Sequence, residues 1–129
     1  MKVQVMVYGT LMRGERNHRH MTGARFVREA RTAARFTLVD RGAFPALLQE
    51  GAASVRGELY EVTAEHLARL DWFEGVPRLY ERRTIRLADG ASAQAYVQPM
   101  APVRTRDVIV SGDWRAHRKE QDRAHTNQE

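Results

Sequence analysis

Apolar residues in this chain come in short bursts, and nearly every burst is cut off by a turn signal. Val3, Val5 and Val7 alternate with Gln4, Met6 and Tyr8. Phe26, Phe36–Val39, Ala46–Leu48 and Val55–Val62 follow, interrupted by Arg41-Gly42, Pro45 and Gly51. Short alternating runs between turn residues are the pattern of strands. Residues 3–8 are expected to form a central strand. Residues 12–24 carry glycines and polar side chains and read as a loop with room for a short helical turn. Only residues 63–73 carry a clear helical repeat. Thr63 suits the N-cap, Glu65 the positive first turn, and Leu67, Leu70 and Phe73 one apolar face. Val62 and Leu67 stand at the positions of a hydrophobic staple, and Gly75 and Pro77 end the helix. Asp89-Gly90 between Thr84–Leu87 and Ala91–Val97 predicts a hairpin on a type I′ turn, with positive φ at both centres. From Trp114 the chain is polar and charge-mixed, a surface helix or frayed tail with His117 and His125 in water. Many strands, one or two helices and short connections imply a mixed α+β protein. At 129 residues one domain is expected, and a sheet curled into a small β-barrel with one main helix would protect its strand edges.

Composition narrows the chemistry. With no cysteine there is no disulfide, thiol nucleophile or cysteine metal site. No apolar run reaches the ~20 residues of a membrane helix, and MKVQVMVYG lacks a signal peptide's apolar region, so no membrane role and a cytoplasmic location are expected. The net charge is +5, and residues 1–35 alone hold eight basic and two acidic side chains. Such a balance fits small anionic ligands or a solvated face. A nucleic-acid-binding module would rest on charge alone, because no basic recognition helix or interleaved aromatic–basic strand accompanies it.

Three constellations carry possible chemistry. Tyr8-Gly9-Thr10-Leu11 ends the first strand on a glycine turn, which is either a plain surface turn or a loop that aims successive N–H groups at an anion. GTLMRG has neither the ending of a P-loop nor dinucleotide-type glycine spacing. Glu74 lies at the helix end beside Phe73, where the macrodipole and an apolar neighbour both disfavour its charge. It is either solvated or held there for a purpose, and a semi-buried carboxylate would have its pKa raised toward that of a general base. Asp71 and Glu81 are rival carboxylates, one placed for local hydrogen bonding and the other expected to face water. Tyr60, Tyr80 and Tyr96 are core residues or pocket hydroxyls. His18 and His20 have a zinc-like spacing without a third ligand, so no metal is expected. There is no Gly-x-Ser-x-Gly elbow.

Taken together, VYGTL at 7–11, RGERNH at 13–18, GAFPAL at 42–47, VRGELYEV at 55–62, LARLDWFEGVPRLYERR at 67–83 and SGDWR at 111–115 resemble the gamma-glutamylcyclotransferase-like (AIG2-like) family, in its short bacterial branch. The resemblance implies a family domain over residues 1–115, with a polar tail over 116–129. It implies an enzyme of transferase or lyase type acting on a small-molecule γ-glutamyl substrate, with no cofactor or metal and no nucleic-acid partner. Glu74 would be the acid/base. Tyr8, Gly9, Thr10 and Leu11 would receive the glutamyl head group, largely through backbone N–H groups. Tyr80 and Tyr96 would donate to the substrate, and Asn17 would bind it or fix the loop. The product would be 5-oxoproline. The departing amine is left open: cysteinylglycine, a single amino acid, a lysine ε-amine or an antibiotic's amine. A non-catalytic carboxylate-binding domain of the same fold is the alternative, and the oligomeric state is not specified.

Overall fold

The alternating valines at the start of the chain form β1 (Lys2–Val7), which lies inside the sheet between two neighbours. The structure, a computed structural model, describes residues 1–99 and 103–127. The further strands are β2 (Arg25–Arg31), β3 (Phe36–Asp40), β4 (Pro45–Ala53), β5 (Arg56–Thr63), β6 (Glu81–Arg86) and β7 (Ser92–Val97). Two helices accompany them, α1 (Ala64–Phe73) and α2 (Trp114–Asn127), with 3₁₀ turns at His18–Met21 and Thr105–Asp107. The short helical turn expected within residues 12–24 is the first of these.

The sheet order is β2-β5-β1-β7-β4-β3, with β6 also paired to β7. The α+β expectation holds, but the strands do not close into a barrel, because among the described residues no pairing joins β2 to β3. A physical reason lies in β7. It gives one whole edge to antiparallel β6 and divides the other between β1, at Val5–Gln94, and β4, at Leu47–Val97, both parallel. The sheet therefore branches rather than continuing round. Val5, Leu38, Leu47, Val55 and Ala95 are fully buried at its centre, and α1 packs over β5 and β1.

Local chemistry explains most element ends. Thr63 Oγ1 accepts from the His66 N–H at 3.1 Å, so the N-cap is where the sequence places it. Gly51, expected as a break, instead lies within β4 at φ +147. A bulge there shifts the β3–β4 register, and a Cβ would strike the Thr37 hydroxyl and the Phe36 carbonyl. The Asp89-Gly90 hairpin forms with a different turn. Only Gly90 has positive φ, at +91, and its N–H donates to Leu87 O while the Leu87 N–H donates to Ala91 O. This is a type I turn closed by a glycine bulge, so Asp89 never has to adopt the left-handed region.

The polar C-terminal stretch is helical and docked. Trp114 is buried, and His117 Nε2 and Gln121 Nε2 both reach Asp40 Oδ2, at 2.7 and 2.9 Å. His117 thus pairs with the end of β3 rather than facing water. The side chain of His125 lies outside the described residues. Among the described residues no helix is long and apolar enough to cross a membrane.

Candidate active site

The branch point of the sheet makes the cavity. Where β1 leaves the edge of β7 and β4 takes its place, a wedge opens at the carboxyl end of β1. Parallel strands that part company leave a crevice of this kind. Tyr8 fills its root. Its hydroxyl donates to Tyr96 O at 2.6 Å and accepts from the Leu47 N–H at 3.1 Å, replacing the backbone groups a continuous ladder would supply. Gly9 follows, packed so tightly on Pro45 that a Cβ would lie 2.6 Å from the proline ring.

From Gly9 the chain turns at once. The Met12 N–H donates to Gly9 O at 3.1 Å, which leaves the amides of Thr10 and Leu11 outside that bond at the centre of the turn. The turn is braced from behind. Asn17 donates its backbone N–H to Thr10 O and its side-chain amide to Thr10 Oγ1, both at 3.0 Å. His18 Nδ1 donates to Leu11 O at 2.8 Å. Of the two roles open to Asn17, the geometry shows that of fixing the loop. His18 is occupied in the same way, and His20 stacks on Phe73 with ring centroids 3.8 Å apart.

Glu74 faces this turn from the end of α1. The helix closes with a Schellman motif: the Gly75 N–H donates to Trp72 O and the Val76 N–H to Asp71 O, with Gly75 at φ +68. That stop presents Glu74 at the cavity instead of continuing the helix. Among the described residues no group donates a hydrogen bond to its carboxylate. Burial pushes its pKa from the ordinary 4.5 up to about 7.

The residues that the resemblance assigns to the site come together here, while His18, His20, Tyr60, Asp71 and Glu81 lie outside the lining. Tyr8, Gly9, Thr10, Leu11, Asn17, Tyr80, Tyr96 and Glu74 all line one cavity of about 130 Å³, joined by Arg16, Phe44, Pro45, Phe73 and Leu79. Three phenols surround the carboxylate. Burial raises the pKa of Tyr8, Tyr80 and Tyr96, and the nearby charge of Glu74 raises each further, so all three stay neutral. The Tyr80 hydroxyl donates to Pro45 O at 2.8 Å, and the Tyr96 hydroxyl donates to Asp71 Oδ1 at 2.7 Å. With their protons engaged, both hydroxyls offer the cavity lone pairs rather than donors. Asp71 is not free for chemistry, since Arg82 Nε also donates to its Oδ1 at 2.9 Å. Glu81 pairs with Arg83.

One important residue escaped the sequence reading. Glu58 on β5 is buried and accepts from the Arg13 N–H at 2.8 Å, Arg115 Nη2 at 2.9 Å and the Tyr60 hydroxyl at 3.0 Å. Burial alone would raise its pKa, but these donors together hold it below the ordinary value. It clamps the start of α2 and the residue after the turn to the same strand. The available signal was parity, because Glu58 shares the alternating face of Tyr60 and Val62. The N-terminal basic cluster also carries less unpaired charge than its count suggests. Lys2, Arg13, Arg25 and Arg28 are ion-paired to Glu61, Glu58 and Asp89.

Residues 5–116 match the family described as "Gamma-glutamyl cyclotransferase, AIG2-like". A Vibrio cholerae protein whose gamma-glutamylcyclotransferase name is provisional is 41% identical over 110 residues, covering 85% of this chain and 93% of its own. Gamma-glutamylaminecyclotransferase A of Danio rerio is 36% identical over 108 residues, covering 74% and 67%. The crystal structure of an AIG2-like protein from Mus musculus shares the fold with a TM-score of 0.70 at 29% identity, over 88% of each chain.

Proposed function

The chain belongs to the gamma-glutamyl cyclotransferase, AIG2-like family, a family of enzymes, and from that premise we propose that it releases 5-oxoproline and a free amine from a γ-glutamyl amide, with Glu74 as general acid/base. The observation that carries the proposal is the meeting of Glu74 and the Gly9–Met12 turn in one cavity.

The substrate brings its own nucleophile. Its α-amine attacks its own side-chain amide carbon and closes a five-membered ring, so the enzyme need only select the folded conformer. The substrate carboxylate is received by the amides of Thr10 and Leu11, which Asn17 and His18 hold in place. The α-ammonium points toward the lone pairs of Tyr80 and Tyr96 and toward Glu74. The Glu74 carboxylate takes one ammonium proton, the freed nitrogen forms the new C–N bond, and the amide carbonyl becomes a tetrahedral oxyanion. Collapse breaks the original C–N bond while Glu74 returns the proton to the departing nitrogen. The second proton left on the ring nitrogen then passes through the Glu74 carboxylate to the freed amine, so the lactam nitrogen ends neutral and the amine leaves as an ammonium. A carboxyl group with a pKa of about 7 is suited to both transfers at neutral pH. The reaction uses only the chain's own groups, and a cytoplasmic setting suits such small substrates.

A panel of γ-glutamyl amides assayed for 5-oxoproline release tests the reading. Release from at least one member, with the free amine in equal amount, is the expected result. No release from any of them, together with binding of small carboxylates, would instead make this a binding domain on the same fold.

A further inference from the structure

The cavity is small for a whole γ-glutamyl amide. An engineered cavity of roughly 150 Å³ takes a benzene ring, so about 130 Å³ accommodates the closing five-membered ring and little else. Whatever the glutamyl group is joined to must lie across the mouth. Leu79, half exposed at 51%, and the part-buried Phe44 and Phe73 make that mouth apolar. One charge interrupts it, the exposed guanidinium of Arg16.

Arg16 differs from most of its basic neighbours. Arg13, Arg25 and Arg28 each have a carboxylate partner, whereas no ion pair to Arg16 exists among the described residues. It is nevertheless held at the mouth. Its Nη2 donates to Ala43 O at 2.6 Å, and its own carbonyl accepts from Arg19 Nη1 at 3.0 Å. One of its five N–H donors is thus engaged, and the rest of a planar fork remains for a carboxylate. The glutamyl carboxylate has the backbone turn deeper in, so Arg16 serves a second one.

Building on the cyclotransferase reading, we propose that Arg16 pairs with a carboxylate on the departing amine, and that the substrates are γ-glutamyl amides of α-amino acids with apolar side chains. The apolar mouth takes the side chain, and the guanidinium takes the carboxylate beside it.

The test compares γ-glutamyl-leucine with γ-glutamyl-isoamylamide, which has the same shape without the carboxylate, by 5-oxoproline release. The wild-type enzyme is expected to favour the leucine compound in kcat/KM. Arg16→Gln should lower that preference about tenfold, the low end for a hydrogen-bonded charge at an exposed site, mainly through KM. Arg16→Lys should keep part of it. γ-Glutamyl-glycine, with the carboxylate but no apolar group, should fall below γ-glutamyl-leucine. An unchanged preference in Arg16→Gln, including the case in which both substrates lose rate together, would overturn the assignment while leaving the cyclotransferase reading intact. So would a wild-type enzyme indifferent to the carboxylate, or one that favours glycine over leucine. Failure to release 5-oxoproline from any γ-glutamyl compound would remove the underlying reading itself.

Discussion

Glu74 and Gly9 are each placed by one physical constraint, and each constraint makes a prediction. The folded-state pKa of Glu74, about 7, stands above the ordinary 4.5, so folding favours its protonated form. Its contribution to stability is present below about 4.5 and is lost as pH rises through about 7. Glu74→Gln cannot ionise there, and it should melt higher than the parent at pH 8 and much the same at pH 4. The gain is on the order of 1–3 kcal/mol once solvent access through the cavity mouth is allowed for. Melting curves at the two pH values measure it. For Gly9 the constraint is steric. A Cβ would lie 2.6 Å from the Pro45 ring, so Gly9→Ala should push β4 away from the turn. A raised KM together with a lower melting temperature is expected, and calorimetry beside initial-rate kinetics checks both. Tyr80 and Tyr96 were likewise legible as pocket residues. That their protons are already taken was not, because Pro45 and Asp71 lie 35 and 25 positions away in sequence.

Elements were easier to read than their junctions. The N-cap of α1, its apolar face and its stop at Gly75 are local features, and the helix follows them. The Schellman closure matters because it fixes the direction of Glu74. Gly75→Ala places a side chain at φ +68, with its Cβ 3.1 Å from Leu79. It should cost about 1 kcal/mol or more and also slow turnover, because the displaced residue is the neighbour of the acid/base. Rate and stability loss measured together distinguish this from a merely weakened helix. The docking of α2 was not legible, since Arg115 reaches back across 57 positions to Glu58. Glu58→Gln should destabilise by about 2–3 kcal/mol, below the usual range for a buried ion pair, because Arg13 and Arg115 can still reach water. Its pH dependence runs opposite to that of Glu74. With a folded-state pKa held below the ordinary value, Glu58 contributes stability above about 4.5 and loses it as pH falls through the lowered value. The penalty of Glu58→Gln should therefore be largest near neutrality and fade in acid. Urea melts at pH 7 and pH 3 would show it.

At the scale of the whole molecule, function follows from a sheet that branches. Short strand runs told of many strands but not of their order, because nothing local in β7 says that β1 and β4 must share its edge. Closure into a barrel was the natural guess for protecting edges, and the branch is what replaces it. The branch sets the cavity at the end of β1, and the helix stop delivers Glu74 to the same place. That convergence is the central claim, and the rate of 5-oxoproline release by wild type and Glu74→Gln, on the best substrate of the panel, tests it most directly. The account predicts a folded Glu74→Gln protein that still binds substrate while releasing 5-oxoproline about 10²–10⁴ times more slowly. A folded Glu74→Gln protein releasing 5-oxoproline at close to the wild-type rate would contradict it.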